Sequence, residues 1–490
     1  MSSGTSRVGS WTWRRLAWLA GGLAAATRIP GLMRPWVERD EAHIAVQAQT
    51  LLRGGHLYED VIDRKPPLVP AIYAAVAWVS GTFDLRPVRA LLVLWVAATA
   101  LVVAAIVRRI GGSGRAAAVG AVLYVLGTVA FFPRDGQGAN FELWGALPAS
   151  GAMLLAFTRA PGVRRLWVFV GAGALVGIAA CMKQPFLTTI APVGVAAAVG
   201  PRPARSVLGS GLGLVAVIAA VGGAFGLDGM LRWAWTENGG YVAGRALDGR
   251  VLGVGVLMTL LFAATHASAM WLGLRARLPR GPRLAILVWL AVSAVTVVAG
   301  FRFLGHYYQP LVAPLCVLAG IGVERVGRGV SAGHLGVAAA TAVAAIVVAL
   351  SAFAPQPMEM TRLRAVIEAR TEPGDPILVW GDAPEIYWRT NRSVAGAFVQ
   401  SAFLTSSVSG RGTTGAALPP DEAEERWRLF LSDLRSDPPL VVVDTSSRRR
   451  GFDHRPAEVP LGEYLRAHYE RAGTLRGMEV WVREAHGDAT

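Results

Sequence analysis

Lysine is almost missing from this chain, cysteine nearly so, and charge of either sign is scarce. Of 48 basic residues only two are lysine, Lys65 in "RKPP" and Lys183 in "MKQP". The two cysteines, Cys181 and Cys316, both lie in apolar runs, which gives neither a disulfide framework nor a metal-ligand spacing. Charged residues are 17% of the 490, against 53% hydrophobic. What fills the space is apolar sequence. Runs of 15 to 24 residues recur from Trp13 to Ala354, and a hydrocarbon core of about 30 Å needs ~20 such residues per helix. The chain therefore reads as a polytopic α-helical membrane protein. No small-residue cleavage site follows the first run, so it reads as a retained helix and not a removed signal peptide.

The net charge of +15 does not point to nucleic acid. The first 354 residues hold 31 basic and 13 acidic residues, the rest 17 and 20, so the excess belongs to membrane loops, where basic residues set orientation. Eleven spans are expected, within a fold class of about 11 to 13 transmembrane helices. One further apolar piece, 66–83, begins Pro66-Pro67, meets Pro70 and ends at Gly81. It is short for a crossing and reads as interfacial or re-entrant. With that choice 17 basic residues fall inside and 14 outside, while of the 13 acids only Glu324 falls inside. The outer face thus collects carboxylates, which suits a working face that handles protons, metal or phosphate, or reflects only an avoidance of the cytoplasmic leaflet by acids.

The division expected is a transmembrane unit over 1–354, with 31–83 as its first extracytoplasmic loop and interfacial helices, and a small soluble extracytoplasmic α/β domain over 355–490. In that tail "PILVWG" and "PLVVVDTS" read as buried strands. "MEMTRLRAVIEAR", "DEAEERWRLFLSDL" and "LGEYLRAHYERAG" read as amphipathic helices, and Thr405 to Ala417 as a loop.

The acids are densest in "ERDEAHIAVQAQTLLRGGHLYEDVIDRKPP". A helix is expected from Asp40, with Ile44, Ala48, Leu51 and Leu52 on an apolar face and Gly54-Gly55 as the stop, lying along the membrane interface. Asp40 and Glu41 then occupy its first turn, where exposed N–H groups favour carboxylates. Asp40 is on this reading either a cap or a functional acid. The two lysines precede proline at outer loops. In an arginine-dominated chain a compact ammonium suits point contact with an anion such as phosphate, or the snorkelling of an interfacial side chain. Of the histidines His43, His56 and His306, only His306 is kept as a candidate. Tyr307 and Tyr308 read as interfacial aromatics or as ligands, and Trp233, Trp235 and Tyr241 as helix-end anchors.

An Asp-Glu pair ending the first helix, an amphipathic helix behind it and a Lys-Pro-Pro about 25 residues on resemble the GT-C membrane glycosyltransferases, in the branch of protein O-mannosyltransferases and bacterial lipid A aminoarabinose transferases. The match is strongest over 31–83. "GANFELWGALP" resembles that family's acidic second outer loop, with Asp135 or Glu142 as the acid, and "RFLGHYYQPLVAPL" resembles its His/Tyr-rich helix entrance. The resemblance implies a polyprenyl-phosphate-linked sugar as donor, a hydroxyl acceptor (protein, glycan or lipid) and inversion at the anomeric carbon. A hydroxyl acceptor needs a base, which Asp40 supplies; the departing phosphate needs cations, supplied by Lys65 with Arg64, Arg302 or His306. Glu41 is expected to orient the acceptor or to share a divalent metal with Asp40 and Glu142. The competing readings are a lipid or sugar-lipid transporter, which calls for ionisable or broken sites near mid-span, and a non-catalytic scaffold.

Overall fold

The computed structural model of the chain describes residues 13–33, 39–159, 163–237, 248–352, 358–405, 420–449 and 455–483. Tyr241 and the part of the expected loop from 406 to 417 lie outside them. Each of the eleven apolar runs appears as a helix or a pair of consecutive helices. Among the described residues five helices are long and apolar enough to cross a membrane, Leu85–Arg109, Arg164–Met182, Pro203–Phe225, Arg280–Phe301 and Arg328–Ser351, and Gly249–Thr265 with Ala267–Gly273 makes a sixth bent by 75°. Shorter apolar helices include Gly114–Ala130, Phe141–Ala156 and Leu68–Ser80. The last is the short piece singled out above, 13 residues long and closed by Gly81 at φ 66°, a left-handed stop suited to glycine.

Polar residues set several helix ends. Asp84, Ser113 and Asp248 each accept a backbone N–H of the helix they start, satisfying donors that lipid cannot. Between helices, small residues permit contact. A Cβ on Gly173 would run into the Ser210 carbonyl, and one on Gly213 into that of Val170, so Arg164–Met182 and Pro203–Phe225 touch backbone to backbone, the packing that serves where no hydrophobic drive operates. The outward faces are apolar. Val207, Leu208, Leu212 and Val215 on one such helix, and Val337, Val343, Val347 and Val348 on Arg328–Ala352, are all more than 45% exposed, a surface that belongs against hydrocarbon.

The C-terminal part carries a five-stranded sheet, ordered β2-β1-β3-β5-β4, with β1 Pro376–Trp380, β2 Ser393–Val394, β3 Val441–Asp444, β4 Tyr469–Leu475 and β5 Met478–Arg483. β1 pairs in parallel with β2 and β3, and β5 antiparallel with β3 and β4. β1 and β3 are the two strands expected from sequence. The expected helix "LGEYLRAHYERAG" is half right: helix Leu461–His468 gives way to β4 at Tyr469, because pairing with β5 overrides local helix propensity. The sheet's apolar core is shared. Val46, Leu57, Tyr58, Val61 and Ile62 pack into it beside Trp380 and Phe398, and the Ile62 N–H donates to the Ala397 carbonyl at 2.8 Å. The segments that carry the acids and Lys65 are therefore clamped between the apolar helices and the sheet.

Candidate active site

The acidic helix spans Arg39–Leu52. It is more enclosed than a helix with one apolar face would be: residues 41 to 49 are all buried, polar ones included, whereas Leu52 is exposed. Burying polar groups requires partners, and Gln47, Gln49 and His43 each have at least one. Gln47 Nε2 donates to Asp63 Oδ2 at 2.8 Å and Gln49 Nε2 to the Trp388 carbonyl at 3.1 Å. His43 Nε2 lies 3.1 Å from Asp382 Oδ1, and Arg39 donates to the other oxygen of Asp382 at 3.0 Å.

Asp40 and Glu41, neighbours in sequence, serve different surroundings, as residues about 100° apart on a helix must. The Glu41 carboxylate is fully buried, accepts from Arg89 Nε and Nη2 at 3.0 and 2.6 Å, and takes the Ala139 N–H at 2.8 Å. Arg89 also donates to the Gly31 carbonyl at 2.7 Å. Glu41 thus braces the acidic helix against Leu85–Arg109 and the loop before Phe141, in place of the acceptor-orienting or metal-binding part expected of it.

Asp40 instead faces a polar cluster centred on His306. His306 sits on the short helix Gly305–Leu311, reached through a turn in which Gly300, Phe301 and Phe303 all take positive φ, a conformation costly for the two phenylalanines. Asp40 Oδ2 is 3.7 Å and Glu142 Oε1 3.9 Å from His306 Nε2, while Asp135 Oδ2 is 3.4 Å from Nδ1. Both candidate second-loop acids therefore belong to one site. Glu142, in the first turn of Phe141–Ala156, forms a buried ion pair with Lys183. The side chain of Asp40 is 25% exposed against 13% for Asp135 and 2% for Glu142, so Asp40 is the most accessible of the three carboxylates.

The chain's two lysines come together here. Lys65 Nζ is 5.3 Å and Lys183 Nζ 6.0 Å from the centre of the same Phe141 ring, and Lys183 lies 4.8 Å over Tyr307. Their loops are stitched by Gln184, whose Nε2 donates to the Arg64 carbonyl at 2.7 Å, and the Lys65 loop is closed on itself by Tyr58, whose hydroxyl donates to the Lys65 carbonyl at 2.9 Å. Arg64 lays its guanidinium 5.0 Å over Phe403 of the C-terminal part, and Arg302 is buried on the strained turn before His306. The contacts thus gather Asp40, Lys65, Asp135, Glu142, Lys183 and His306. Lys183 is the residue that sequence alone left undecided; its rarity was the available signal.

Electrostatics follow from this crowding. Burial opposes charge on Asp40, yet Lys65, His306, Lys183 and His43 hold its carboxyl well below the usual range. Burial also opposes charge on His306, but Glu142 and Asp135 outweigh it and push the imidazole up to about 9. Asp40 and His306 are thus both held in their charged forms, carboxylate beside imidazolium. The donor set does not fit a divalent cation. Glu41 is held by Arg89 and Glu142 by Lys183, Asp40 and Asp135 meet different nitrogens of one ring, and among the described residues no three His, Cys, Asp or Glu side chains are arranged to hold a metal ion.

No family model matches the sequence, and no curated protein matches it. The structure does have counterparts. ArnT from Cupriavidus metallidurans, solved bound to undecaprenyl phosphate, superposes with a TM-score of 0.66 at 14% identity, over 97% of this chain and 98% of that one. The oligosaccharyltransferase of Archaeoglobus fulgidus gives 0.53 at 12% identity over 89% and 70%. The arabinofuranosyltransferase AftD from Mycobacteria gives 0.53 at 12% over 96% and 40%. What is shared at such identities is the fold: this chain has the GT-C fold of membrane glycosyltransferases.

Proposed function

We propose that this protein is a membrane glycosyltransferase that moves a sugar from a polyprenyl-phosphate carrier to a hydroxyl acceptor, with inversion, at the extracytoplasmic face. The observation that carries this reading is the meeting of the chain's only two lysines with Asp40 and His306 around Phe141. Fold alone does not fix function. A fold whose relative ArnT holds undecaprenyl phosphate, combined with two ammonium groups beside the most accessible carboxylate of the cluster, supports phosphate as the leaving group.

In this mechanism the acceptor oxygen forms a bond to the anomeric carbon as the bond from that carbon to the phosphate oxygen breaks. The electron pair leaves with the polyprenyl phosphate, whose new charge Lys65 and Lys183 stabilise. The acceptor proton passes to Asp40. A carboxylate held by four cationic neighbours is a weak base. Entry of the donor changes that: the phosphate draws on Lys65 and Lys183, their pull on Asp40 diminishes, and its basicity rises when an acceptor is to be activated. His306, cationic between Asp40, Glu142 and Asp135, keeps the acids together and lends charge to the phosphate.

Such a donor also fits the location, since its tail stays in the bilayer while its phosphate is met where helices end. Asp40 and Glu142 lie in first turns, and Lys183 follows the last turn of Arg164–Met182. A transporter would call for charges at mid-span. On the eleven-crossing topology proposed here, with 66–83 not crossing, this cluster and the C-terminal part lie together on the extracytoplasmic side. The test is mass spectrometry of glycans and glycolipids from cells with and without the protein. A sugar-bearing species that disappears without it, returns with wild type and does not return with Lys65→Met supports the reading; unchanged profiles refute it.

A further inference from the structure

The ends of the membrane helices away from His306 hold a second polar feature. Helix Arg280–Val298 has 19 residues, which at 1.5 Å per residue separates its start from the His306 turn by roughly 28 Å. Helix Val312–Gly322 leaves that turn in the opposite sense and ends in Val323–Arg325. Where the two meet lies a cavity of about 740 Å³ lined by Leu274, Arg275, Ala276, Arg277, Leu278, Arg283 and Arg325. Four arginines thus line one space, and among the described lining residues there is no carboxylate.

The local structure adds no negative partner. The first turn of Arg280–Val298 contains Arg280 and Arg283 and no acid, and its N-cap, Pro279, offers no side-chain acceptor. Cations in the first turn oppose the helix dipole, so this helix start has the sign that suits a bound anion. The nearest acid in sequence, Glu324, is turned away, accepting the Ser113 N–H at 2.7 Å. One wall is also fixed in place. Arg275 donates to the Trp271 carbonyl at 2.9 Å and lies over the Trp271 ring, which is tilted against the His334 ring with centres 4.2 Å apart.

Orientation rules account for arginines on this face in general, but not for four converging on one cavity. We propose that this cavity binds the phosphate of an anionic lipid headgroup, in the leaflet opposite the candidate active site. The shared chemistry is phosphate. A lipid source is favoured because Leu274, which is 86% exposed, Leu278 and Ala276 form an apolar lip beside the arginines, and because the cavity opens where membrane helices end.

The experiment is native mass spectrometry of the full chain in detergent, titrated with phosphatidylglycerol, with phosphatidylcholine, and with phosphatidylglycerol in the presence of inorganic phosphate. Wild type should retain phosphatidylglycerol over phosphatidylcholine. The variant Arg277→Gln/Arg283→Gln should weaken that retention at least about tenfold, the scale of one lost charge-assisted contact. Arg109→Gln/Arg328→Gln, two exposed arginines at the same helix ends but outside the cavity, should change it less than about twofold, as a loss of unpaired surface charge would. Equal weakening by both variants, or no preference between the two lipids, overturns the site. Full displacement by equimolar inorganic phosphate overturns the lipid assignment.

Discussion

His43 Nε2 stands 3.1 Å from Asp382 Oδ1, which fastens the helix bearing Asp40 to the end of β1. Burial opposes a charge on His43, but the hydrogen bond and charge of Asp382, with Asp63 and Asp40 behind, raise its pKa above the usual 6.5. A folded pKa above the unfolded one gives stability that is complete below about pH 6.5 and is lost as pH rises through the folded value. Asp382→Asn should therefore lose most stability in acid, the gap from wild type shrinking as pH rises. The Arg39 contact leaves a pH-independent remainder. Thermal melts between pH 5 and 9 would read this, and a gap that widens with pH would contradict it.

Glu41 and Lys183 each belong to a buried pair, and removing one partner of such a pair costs about 3–5 kcal/mol. Glu41→Ala should therefore unfold or fail to accumulate. A folded, inactive Glu41→Ala would restore the acceptor-orienting part that the sequence suggested for it.

The two lysines should part company in the same assay. Lys65→Met is expected to fold and to lose roughly 10²–10³-fold in transfer, the scale of removing one group that stabilises leaving charge, with Lys65→Arg keeping part of the activity. Lys183→Met should be unstable because it strands Glu142. Lys183→Met/Glu142→Leu, which removes both charges, should regain stability without regaining transfer. Full activity in that double variant would remove Lys183 from the mechanism.

Topology is read by labelling. Cys181 and Cys316 are both buried, so single cysteines introduced at exposed Glu59 and at exposed Arg466 report with little background. Both should react with a membrane-impermeant reagent added to intact cells. Reaction of either only after lysis would overturn the eleven-crossing arrangement.

The membrane helices were legible because each is an apolar run, and lipid demands such runs. β1 and β3 were legible for the related reason that "PILVW" and "VVVD" are buried on both faces. The β4–β5 hairpin was hidden. "YERAG" continues a helical pattern, and the turn is made by Arg476 and Gly477 at φ 44° and 79°, where an asparagine or aspartate would have announced it. The burial of the acidic helix's polar face was not legible because the sheet that covers it lies more than 300 residues away in sequence. Asp40, Lys65 and His306 were legible as candidates from their residue types and motifs. Their meeting, and the withdrawal of Glu41 to Arg89, depend on long-range packing that no local pattern encodes.

The most direct test of the central claim is sugar transfer by purified, monodisperse Asp40→Asn from a polyprenyl-phosphate donor. Asparagine occupies the start of a helix about as well as aspartate, so the variant should fold, but it does not accept a proton near neutral pH. If Asp40 is the base, transfer falls by roughly 10²–10⁴-fold while the melting profile stays close to wild type. Near wild-type transfer in Asp40→Asn, with loss only in an unstable Asp40→Ala, would make Asp40 a helix-start residue and contradict the mechanism.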